Sequence, residues 1–72
     1  MKELLEILED AIKKEVAANK LYTEAAAKAE TSEARSLLER LAAEERVHKQ
    51  LLLGLYERLA GRAAALDEYF EE

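Results

Sequence analysis

The chain has 72 residues, no cysteine and a net charge of −5 at pH 7. A chain this short buries only about 60% of the surface it exposes when unfolded, so it needs a disulfide, a metal or self-association, and the missing cysteines remove the first along with thiolate metal sites and redox thiols. Eleven basic residues interspersed among sixteen acids exclude a phosphate-binding surface and hence a nucleic-acid partner. No apolar run reaches the roughly 18 residues that a membrane span requires, and the opening MKELLEILED is too acidic for a signal peptide, so a cytoplasmic protein without membrane contact is expected.

Residues of strong helix preference dominate, proline is absent and glycine occurs only at 54 and 61, which predicts an all-α fold. The first predicted helix covers about residues 2–30. Its stripe of Leu4, Leu8, Ala11, Glu15, Ala18, Tyr22, Ala25 and Ala29 follows a four-three alternation and marks one face. Between this stripe and the next lie only Glu30, Thr31 and Ser32; Thr31 or Ser32 can accept a hydrogen bond from the free N–H groups that open a second helix, with Glu33 at its positive dipole end.

The second predicted helix covers about residues 32–60, with Ala34, Leu38, Leu41, Glu45, His48, Leu52, Leu55 and Leu59 on a matching stripe. So short a connection makes the two helices antiparallel, giving a hairpin over residues 1–60 with arms of about 29 residues, each roughly 43 Å long. Gly61 has the place of a helix C-cap, and residues 61–72 form a predicted helical tail with Leu66, Tyr69 and Phe70 on one side.

Three polar residues interrupt these apolar stripes. Counting from Thr31, Glu15 lies sixteen residues back while Glu45 and His48 lie fourteen and seventeen forward, so antiparallel arms bring all three to one level. Glu45 and His48 stand three apart and point the same way. Burying unpaired carboxylates costs several kcal/mol, so such a seam needs compensation. Two hairpins about a two-fold axis would gather four glutamates and two histidines at one centre. Two divalent cations would neutralise those carboxylates. Carboxylates with imidazole and no thiolate favour iron, with manganese or zinc as further fits.

A Glu from each of two helices plus Glu-x-x-His from the other two is the donor set of the di-iron carboxylate proteins. The runs EVAANKLY (Glu15 to Tyr22) and EERVH (Glu44 to His48) resemble the signatures of the rubrerythrin branch of the ferritin-like superfamily. The resemblance spans about residues 5 to 60, one half of that family's usual four-helix domain; a designed di-iron hairpin dimer would carry the same signature. It implies a ferritin-like four-helix bundle made by a homodimer with two Fe ions per dimer. Glu15 would be a terminal ligand, Glu45 a bridge, and one His48 would sit on each metal, with Tyr22 donating a hydrogen bond to a ligand carboxylate. It also implies an oxidoreductase, a ferroxidase or a peroxidase-like enzyme, acting on dioxygen or peroxide. Rubrerythrins usually carry a rubredoxin-type iron-sulfur segment, which this cysteine-free sequence cannot build, so an electron donor would be another protein. Two other readings predict no redox activity: a structural dimerisation hairpin, and a cargo or assembly module that docks through Leu66, Tyr69 and Phe70 into a larger assembly.

Overall fold

The computed structural model describes residues 3–61; the expected tail with Leu66, Tyr69 and Phe70 lies outside them, as does the first residue of the expected first helix. The described residues form two antiparallel helices, α1 (Leu4–Lys28) and α2 (Ser32–Ala60), with no strand among them.

The turn is built from its caps. Thr31 adopts an extended backbone and its Oγ1 accepts from the Ala34 N–H at 3.1 Å, which satisfies one of the orphan donors at the start of α2. Glu33 lies in the first turn, beside the positive end of the helix dipole. Helix α1 stops two residues sooner than helix propensity alone predicts. Ala29 is already extended, since the chain must reverse before Thr31 can cap, and its carbonyl accepts from Arg35 Nη2 at 3.2 Å. At the far end Gly61 adopts φ 69°, ψ 25°, and its N–H donates to the Glu57 carbonyl at 2.9 Å. A left-handed backbone here is why glycine occupies this cap.

The helices bury Leu8, Ile12, Asn19 and Ala26 of α1 and Ala42 and Tyr56 of α2. Leu8, Ile12 and Tyr56 form the apolar cluster at the open end, with Leu5, Val16, Leu52, Leu53, Leu55 and Ala60 packed against it. The expected stripes meet this contact only along one edge: Leu8 lies within it and Leu52 and Leu55 pack against it, whereas Leu4 and Leu59 are exposed and Ala11, Ala18, Tyr22, Ala25 and Leu41 are half-buried. A four-three alternation marks the middle of an apolar arc, whereas a single neighbouring helix covers only one edge of that arc. The rest of it remains open along one face of the hairpin.

Candidate metal centre

Glu15 projects from the middle of α1, and Glu45 and His48 project from α2 one turn apart, all beside the open face. Both carboxylates are half-buried, 22% exposed for Glu15 and 18% for Glu45, whereas the His48 side chain is 54% exposed. His48 Nδ1 lies 3.0 Å from Glu45 Oε1 and 3.1 Å from Glu15 Oε2. One ring nitrogen thus serves two carboxylates from two helices.

The Glu45 hydrogen bond is the largest influence on the imidazole. It raises the His48 pKa above the ordinary histidine value; desolvation opposes it as the next largest influence, and the hydrogen bond to Glu15 and both negative charges add to the rise. A proton on Nδ1 is therefore held where any cation would be favoured. One donor atom from each residue lies within 4.8 Å of the others. Bonds of about 2.0 to 2.2 Å to a transition metal put donors up to about 4.4 Å apart across one ion, so the set fits with a side-chain adjustment of a few tenths of an ångström. Two oxygens and one imidazole nitrogen suit iron, manganese or zinc. Among the described residues, no other group of three or more such side chains gathers in this way.

Tyr22 lies seven residues beyond Glu15, half-buried along the same open side of α1. No hydrogen bond joins it to Glu15, Glu45 or His48 within the hairpin, among the described residues. Asn19, one helical turn beyond Glu15, is buried and donates from Nδ2 to the Ala42 carbonyl at 2.7 Å. Tyr56, absent from the expected stripe, donates from its hydroxyl to Glu9 Oε2 at 3.2 Å. A seven-residue interval was the signal for these positions: Ile12, Asn19 and Ala26 on α1, and Ala42 and Tyr56 fourteen apart on α2.

No described helix is long and apolar enough to cross a membrane. The family model for Rubrerythrin matches residues 6–71. No curated protein and no solved structure gives a significant match.

Proposed function

Because the chain belongs to the rubrerythrin family, we propose that it is a di-iron carboxylate protein that oxidises Fe(II), or reduces dioxygen or peroxide, at a centre shared by two copies of the hairpin. The observation that carries this reading is a gathered donor set on an uncovered face. Glu15, Glu45 and His48 meet within 4.8 Å, yet His48 is 54% exposed, and Leu4, Ile7, Leu37 and Leu59 are exposed as well. Two helices alone leave this apolar arc in water. A second copy placed about a two-fold axis covers it and doubles the donors to four carboxylates and two imidazoles.

In this arrangement Glu15, Glu45 and His48 of each copy would hold the ions, Glu15 as a ligand to one ion, Glu45 as a carboxylate shared by both and one His48 for each. Two divalent ions cancel the charge of the four carboxylates, which is what a site shut away from water requires. Held by these residues, iron would supply the electrons for reduction of dioxygen or peroxide. In the dimer Tyr22 would donate a hydrogen bond to a ligand carboxylate and fix its orientation. The small side chains of Ala11 and Ala18, one turn to either side of Glu15, would there leave room for a small oxidant. Continued turnover takes electrons from a separate protein donor. Without one, the reaction ends once Fe(II) brought as substrate has been oxidised.

Anaerobic protein loaded with two Fe(II) per dimer and then mixed with dioxygen or peroxide should develop ferric near-ultraviolet absorbance well ahead of Fe(II) in buffer. His48→Ala protein should follow the buffer rate. Oxidation no faster with wild-type protein than without it would remove the redox activity and leave a dimerisation hairpin or an assembly module.

A further inference from the structure

Asn19 is the buried polar side chain among the described residues, 7% exposed. A carboxamide placed there costs stability unless it is hydrogen-bonded, and its 2.7 Å bond to the Ala42 carbonyl runs from α1 to the backbone of α2. Asn19 stands one helical turn beyond Glu15, and Ala42 stands three residues before Glu45. The bond therefore joins the helices beside the donor set, on the turn side of it. The Tyr56 to Glu9 bond lies six residues before Glu15 and eight after His48, too distant to replace it.

Apart from the Glu15 to His48 contact itself, the packing there resists rotation of one helix against the other only weakly. On the turn side the buried residues besides Asn19 are Ala26 and Ala42, with Tyr22, Leu38 and Leu41 only half-buried, and two methyl groups interlock weakly compared with the Leu8, Ile12 and Tyr56 cluster at the open end. A side chain reaches about 5 to 6 Å from the helix axis, so turning α1 by about 40° moves the Glu15 carboxylate by about 4 Å. The 3.1 Å contact between Glu15 and His48 does not survive such a movement.

We propose that Asn19 is a positioning residue for the metal centre: its bond to the Ala42 carbonyl sets the rotation of α1 at which Glu15 faces Glu45 and His48. Its effect on metal affinity rests on the di-metal reading; its effect on the side-chain geometry does not.

Asn19→Leu removes the donor at similar volume, and Asn19→Gln keeps an amide. Three quantities separate positioning from bulk stability: the melting temperature, the Co(II) affinity from its visible absorbance, and the NMR cross-relaxation between the Glu15 and His48 side chains in metal-free protein. The Leu variant should melt at or above the wild-type temperature, since an apolar group replaces a buried polar one. It should nevertheless bind Co(II) about 10- to 100-fold more weakly, the usual scale for groups that support metal ligands, and lose the Glu15 to His48 cross-peak. The Gln variant should retain more of both. Wild-type affinity and an intact cross-peak in the Leu variant would overturn the proposal, as would a Gln variant that falls as far as Leu. Should wild-type protein bind no Co(II), the di-metal reading fails, and the cross-peak alone then decides the role of Asn19.

Discussion

His48→Ala and Glu45→Ala each abolish tight metal binding while α1 and α2 stay formed. Each variant removes one of three donors per chain, and with it two of the six around a shared centre, so the loss should exceed the roughly 10- to 100-fold seen when only a supporting group is changed. The helices survive because neither residue belongs to the packed cluster of Leu8, Ile12 and Tyr56, and alanine is the better helix former at both positions. Removing a half-buried carboxylate also lowers the repulsion within the empty site. Co(II) or Fe(II) titration measures the affinity, and far-ultraviolet circular dichroism the helix content. Lost helicity would make the residues structural, and retained affinity would exclude them as ligands.

Metal should raise the melting temperature by an amount that grows with pH between 5 and 7.5. The folded protein holds the His48 proton more tightly than the unfolded chain does, because Nδ1 bonds to Glu45 and Glu15. A group whose folded pKa is raised stabilises the fold fully below its ordinary pKa, and that contribution disappears as pH rises through the raised value. The metal-free protein therefore loses the His48 contribution across this window. A metal ion needs the same nitrogen without its proton, so metal affinity rises over the same window. At a free ion concentration of 100 times the dissociation constant each site adds about 2.7 kcal/mol. Two sites on a dimer of this size correspond to roughly 10 to 20 °C. Anaerobic melting curves with and without Fe(II) at pH 5 and pH 7.5 measure the gap. A gap that is absent, or that narrows at the higher pH, would mean that metal does not compete with the His48 proton.

The caps and the donor set were legible in the sequence because each depends on local chemistry or on counting. Thr31 caps α2 through its own hydroxyl, and Gly61 is the one described residue with a left-handed backbone. Equal distances from a short turn put Glu15 level with Glu45 and His48 whatever the details of packing. The rotation of the helices was not legible. The stripe through Leu4, Ala11 and Ala18 averages the direction of the neighbouring helix with that of the open face, so it passed over Ile12 and Tyr56, which face the neighbour alone. The bond that Asn19 makes was not legible either, because its partner is a backbone carbonyl and no pattern of side chains announces one. The end of α1 at Lys28 was hidden because Ala29 and Glu30 favour helix by themselves, and only the demand of the Thr31 cap stops them.

Native mass spectrometry of protein reconstituted anaerobically with Fe(II) reads subunit number and metal number together, and so tests the shared centre most directly. Two chains of 8.1 kDa carrying two iron ions, or a whole multiple of that unit, are expected, with no iron on His48→Ala protein. A folded single chain that retains iron, or a dimer that holds none, would contradict a shared centre.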